Sequence, residues 1–169
     1  MDLYLKLILL YTISILYFLS VVGFGKIITN KNSNYFEAYF DGTIILLIIS
    51  YFIYVTSGTN SIVNTVILFV GLILYFKFYK KLKSIKYRYI FYLLLSIFSV
   101  LIISKTHEDF DGYHYFSIFE IYNHNLRIGV SNLNHRFFFS SLLALNQSII
   151  VLPYFNFKLV HLPSFFIYF

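Results

Sequence analysis

Long apolar runs separated by short polar connections organise the chain, and one polar interval, residues 105–136, is far longer than the others. A bilayer core about 30 Å thick needs roughly 20 helical residues to cross it. Residues 3–24 meet that length and predict a first span, with Lys6 near enough to its end for the amine to reach the headgroups and Gly23 and Gly25 marking the exit. Residues 26–41 read as a polar connection in which Glu37 and Asp41, four apart, share a face if helical. The simpler expectation is that they decorate the interfacial start of the second span, where carboxylates suit the positive end of the helix dipole. That span covers residues 43–55, extended back into Tyr39 and Phe40. The sequence TSGTN at 56–60 then turns tightly into a third span over 61–76, with Asn64 as a polar intrusion near its start.

Residues 77–88 carry Lys77, Lys80, Lys81, Lys83, Lys86 and Arg88 and lead into a fourth span at 89–104. Beyond the long polar interval a fifth span is predicted over 137–152, stopped by Pro153, with Asn146 and Gln147 turned to the bundle interior as glue between helices. Residues 154–161, carrying Lys158, form a short connection, and 162–169 read as the opening of a sixth span entered through Pro163. Such an apolar ending predicts a fragment of a longer multi-span protein, whose remaining bundle would be its partner, or else a tail lying along the interface. The expected fold is therefore all-α, an integral membrane helical bundle of about five spans plus a partial sixth. It divides into four transmembrane helices (1–104), an outer polar loop with an amphipathic helix (105–136), and the fifth span with the start of a sixth (137–169).

Composition fixes the class. With 59% hydrophobic and 12% charged residues, the chain has too little polar surface to cover a soluble domain, so its surroundings are a lipid bilayer. The net charge of +6 does not point to nucleic acid, because the basic residues gather in one connection instead of a patch interleaved with base-reading groups. They act as topology signals. The positive-inside rule puts 77–88 and 26–41 inside, 56–60 and 105–136 outside, and 154–161 inside. Cysteine is absent, which excludes disulfides and thiolate metal sites. Aromatics at 22% would suit carbohydrate stacking, but an AT-rich coding sequence enriches Phe and Tyr equally well.

Chemistry concentrates in the polar interval, which holds four of the seven acids and four of the five histidines. Thr106 and Asp109 have capping-box spacing, which accounts for one aspartate. It leaves Glu108, Asp109 and Asp111 clustered beside His107 and His114. A helix over 111–125 would carry Tyr115, Ile118, Phe119, Tyr122 and Leu126 on one face and Asp111, His114, Ser117, Glu120 and His124 on the other. That is an interfacial amphipathic helix. Asp111 and His114, three apart, with Glu108 or Asp109, are candidate ligands for a divalent cation. Alternatively they form an acid/base pair in which the carboxylate raises the imidazole pKa. The plainer alternative is a solvated acidic cluster, since no HExxH-type spacing is present. Arg127 and Arg136 lie against the charge rule on the outer side. Guanidinium there suits a phosphate or carboxylate, with Glu120 beside it as a substrate-binding candidate. Otherwise Arg136 anchors a helix end and Arg127 pairs with Glu120.

The segment HEDFDGYHYF, the helix to Asn125, and RIGVSNLNHRFFFSS together resemble the first outer loop of GT-C-fold membrane glycosyltransferases. The acidic DxxxYH-like segment and the following GL.NL..RF-like segment are also similar to a family of uncharacterised bacterial multi-span proteins related to that superfamily. The resemblance spans about residues 88–169. It implies transfer of sugar from a polyprenyl-phosphate donor on the outer side of a bacterial inner membrane, in cell-envelope glycan assembly. A loop carboxylate would serve as general base or metal-linked acid. Asp109 and Asp111 both match that acid, with His114 alongside. Two other readings stand beside it: a transporter or flippase component with Asn64, Asn146 and Gln147 along its path, and a non-catalytic membrane partner docking another protein through the outer helix.

Overall fold

A computed structural model describes residues 3–29, 34–78, 115–124, 142–153 and 155–163. The predicted fourth span and the basic connection beyond Phe78 lie outside the described residues. Among those described, the chain forms α1 (Leu3–Gly25), α2 (Tyr35–Thr56), α3 (Ser61–Phe78), α4 (Tyr115–Asn123) and α5 (Leu142–Ile149), a single 3-10 turn at Phe157–Leu159, and no strand. Stretches of α1, α2 and α3 (Ile8–Gly25, Tyr35–Thr56 and Ser61–Phe78) are long and apolar enough to cross a membrane. The protein is an all-helical membrane protein.

The second span begins earlier than its hydropathy suggests. Asn34 and Glu37 form a reciprocal capping box: Glu37 N–H donates to Asn34 Oδ1 at 2.8 Å, and Asn34 N–H donates to Glu37 Oε2 at 3.1 Å. Two amides that a helix start leaves unpaired are thereby satisfied, and the helix extends back to Tyr35. Glu37 is thus a helix-start residue, as the simpler expectation had it, and not half of a chemical pair with Asp41. The turn at 57–60 forms as predicted. Gly58, at φ 73, supplies the left-handed residue, and both its N–H and that of Ser57 reach the Ile53 carbonyl at 2.9 Å. Asn60 then opens α3 by accepting from Val63 N–H at 2.9 Å.

Each spanning helix has a lipid face and a packed face. On α3, Ile62, Val66, Phe69, Val70, Ile73 and Phe76 are exposed along one stripe, while Asn64, Leu68 and Gly71 are buried on the other. Large apolar side chains open to the outside are at rest in hydrocarbon, where in water they would be a liability.

The chain divides into two compact units, each drawing on parts of α2 and α3. In the unit of Met1–Ile45 and Ile67–Ser104, small residues hold the helices together. A Cβ placed on Gly25 would strike the Ala38 carbonyl, one on Gly42 the Val21 carbonyl, and one on Gly23 the Gly71 carbonyl. Gly23 and Gly25 mark the end of α1, as expected, with Gly25 its last residue, and they are also points of backbone-to-backbone approach. Ser20 Oγ adds a bond across the crossing, donating to the Leu68 carbonyl at 2.8 Å.

The unit of Leu46–Val66 and Lys105–Phe169 has its own core of Ile118, Ile121, Ala144, Leu145, Val151 and Val160, flanked by Leu47 and Tyr54 of α2. Of the predicted fifth span over 137–152, residues 137–141 lie outside the described residues. The described helix there is Leu142–Ile149. Its end tightens through i to i−3 bonds, Ile150 N–H to Gln147 O at 3.4 Å and Val151 N–H to Ser148 O at 3.3 Å. It stops short of Pro153, whose ring disfavours helical geometry in the residue before it. The following chain folds back: Phe157 meets Tyr115 of α4 at 5.0 Å between ring centroids. Phe157 and Val160, in the expected connection over 154–161, thus pack with the polar-loop helix.

Candidate functional site

α4 is the one described piece of the long polar interval. It forms inside the predicted range of 111–125, between Tyr115 and Asn123. Two ties position it. Its apolar side packs Ile118 and Ile121, both buried, against α5, and the buried Thr59 hydroxyl of the α2–α3 turn donates to the Ile121 carbonyl at 3.1 Å. The polar-loop helix is thereby fixed at the end where α2 turns into α3.

The helix is rotated from the face expected of it. Ile121, not assigned to the apolar side, is buried, whereas Phe119, which was, is 38% exposed. Phe119 and Phe116 form the open side, and Ser117, Glu120 and His124 lie half-buried along the flank instead of facing water directly. The cause is the partner: packing on α5 through Ile118 and Ile121 draws the polar stripe toward the protein. Phe157 completes the arrangement, seated among Tyr115, Phe119 and Tyr122 with centroid distances of 5.0, 5.9 and 5.6 Å.

Of the sequence-derived site residues, Glu120 is described. Its Oε1 lies 3.9 Å from His124 Nε2, one helical turn on, an electrostatic contact when the imidazole is protonated. Glu108, Asp109, Asp111, His114, Arg127 and Arg136 lie outside the described residues, so the carboxylate cluster, its cation-binding set and the guanidinium groups have no geometry here. Among the described residues no three His, Asp or Glu side chains gather as a metal site. His161 is half-buried in the same unit, and its burial lowers the imidazole pKa from the usual value.

A polar cluster that includes Asn64, Asn146 and Gln147, read from the sequence as helix glue or as the lining of a transport path, is buried in this unit. Asn64, Asn146, Gln147 and Ser148 are each 5% exposed or less. Asn64 Nδ2 donates to the Ser148 carbonyl at 2.8 Å and to the Val151 carbonyl at 3.1 Å, closing the end of α5 onto the start of α3. Glue is what Asn64 supplies, by bonding to backbone that the short helix leaves open.

Comparisons of the chain with known protein families, with curated proteins and with solved structures return no match.

Proposed function

We propose that the chain is part of a GT-C-like membrane glycosyltransferase that moves sugar from a polyprenyl-phosphate donor on the outer side of a bacterial inner membrane. The observation that carries this reading is the Thr59–Ile121 hydrogen bond, which ties the helix of the long polar interval to the α2–α3 turn. Lys77 lies in the last turn of α3 and opens the basic connection. By the positive-inside rule that end faces the cytoplasm, and the turn before α3 faces outward. Residues 105–136 then present their acids and arginines on the side where lipid-linked sugars are consumed. In this scheme Asp109 or Asp111 takes the proton of the acceptor hydroxyl as its oxygen bonds the anomeric carbon. The bond from that carbon to the donor phosphate breaks, leaving the phosphate on the polyprenol. Arg127 and Arg136 would hold that phosphate, with Glu120 and His114 near the sugar. The span count is at least the three of α1 to α3, with a fourth at 89–104 completing the path to the outer side.

The test is transfer of radiolabelled sugar from polyprenyl-phosphate donors by the protein in its native membrane, with Asp109→Ala and Asp111→Ala as variants. Loss of transfer in one variant at unchanged protein level is the expected result and selects the acid. Undiminished transfer in both, or none from the parent protein, refutes the reading.

A further inference from the structure

The core that α4 shares with α5 reaches down alongside α2. Leu47 and Tyr54 pack against it, and Leu47 belongs to the apolar run of α2 over 44–49, about 13 Å before the last residue of that helix. Asn64, one turn into α3, holds the Ser148 and Val151 carbonyls of the same unit. On the outside of these stretches of α2 and α3, Ile48, Tyr51, Phe52 and Ile62 are exposed along the faces that meet lipid. Half of a bilayer core is about 15 Å deep, so contacts over this length of α2 set the unit within one leaflet and not above it.

At that depth the open side of α4 is graded along its length. Its first half carries Phe116 and Phe119, 39% and 38% exposed, and its second half carries Asn123, also exposed, with Glu120 and His124 on the flank. The second half is the one tied to the tip of the α2–α3 hairpin, where the Thr59 hydroxyl donates to the Ile121 carbonyl. Ile118 and Ile121 are already spent on the core, so the buried stripe of α4 is not available to the membrane. A helix pinned at the tip by its polar end, with phenyl rings open at its other end, is most stable when those rings leave water and the carboxylate, carboxamide and imidazole stay among headgroups. We propose that Phe116 and Phe119 insert into the acyl chains of the leaflet on the side of the α2–α3 turn, with Glu120, Asn123 and His124 at its headgroups. The occupant of this face is phospholipid, because the face continues the lipid-facing surface of α2 and α3 in the same unit. The contact does not depend on the glycosyl-transfer reading.

The chain has no tryptophan, so a single introduced indole reports its surroundings without background. Phe116→Trp and Asn123→Trp are made in the full chain and reconstituted in phosphatidylcholine vesicles. With phosphatidylcholine brominated in the upper part of its acyl chains, Phe116→Trp is expected to lose more than half of its emission and Asn123→Trp much less. Acrylamide in the water should reverse that order. Equal quenching of the two variants by either agent overturns the proposal, as does quenching of Phe116→Trp by acrylamide alone. Protection of Phe116→Trp from both agents means that protein covers the face, and that result overturns it too. Phe119→Trp carries the same expectations and decides the matter if Phe116→Trp does not fold.

Discussion

Gly42→Ala sets two well-understood effects against each other. Gly42 lies within α2, where replacing glycine by alanine in a helix interior ordinarily gains about 0.8–1 kcal/mol. Against this, the new Cβ would fall on the Val21 carbonyl oxygen, 2.8 Å from its carbon and 3.0 Å from Gly25 N. All three obstacles are backbone of α1, so no side chain can turn aside. Restoring ordinary contact requires α1 and α2 to part at the crossing, and overpacking of this kind costs about 1–3 kcal/mol. A rigid obstacle places the cost in the upper part of that range, leaving a net loss of about 1–2 kcal/mol after the propensity gain. The assay is reversible unfolding in mixed micelles titrated with denaturing detergent. The lipid-facing Ile48→Ala, at a side chain 64% exposed, serves as control and should stay within about 0.5 kcal/mol. A Gly42→Ala protein as stable as the parent, or more so, would refute the close crossing of α1 and α2.

Further outcomes follow from the other ties. Thr59→Val keeps the shape of the side chain but removes the bond to Ile121; it should lower stability by about 0.5–1.5 kcal/mol. Hydrogen exchange at α4 amides should rise more than at α1 amides. Glu37→Ala opens one side of the capping box and should cost about 0.5–1 kcal/mol, read as faster exchange in the first turn of α2 with the rest of that helix unchanged. His161, with its pKa lowered by burial, favours the neutral ring in the folded state. Its contribution is present above the ordinary value of 6.5 and is lost as pH falls below it, because the unfolded chain then binds the proton more readily. Stability should fall between pH 7 and 5, and His161→Gln should flatten that slope.

Hydropathy located α1 and α3 almost to the residue, because an unbroken apolar run of bilayer length has few other ways to satisfy its backbone. It misplaced the start of α2, since Tyr35 to Gly42 includes Glu37 and Asp41 and reads as a polar link. The Asn34-x-x-Glu37 spacing that opens the helix is the local signal that overrides hydropathy there. The glycines mark the end of α1 as expected, but composition cannot say that Gly23 also lets another backbone approach, because that depends on Gly71, far along the chain. In the run over 137–152, Ala144, Leu145 and Val151 are enclosed by protein, and burial in protein resembles burial in lipid when only one strand of sequence is read. The polar-loop helix was legible in extent but not in rotation, since its rotation is set by packing on α5, distant in sequence.

Only residues 57–60 separate α2 from α3. A link that short has consequences for how the protein is made. Neither helix can settle in the bilayer long before the other, so the two enter it together as one hairpin. The capping by Asn60 and the reversal at Gly58 are local in sequence, so the turn can form while the chain is still being synthesised. Thr59, by contrast, waits for Ile121, more than sixty residues later. Synthesis would thus deliver a finished hairpin whose exposed tip already displays the hydroxyl that the later helix is to find.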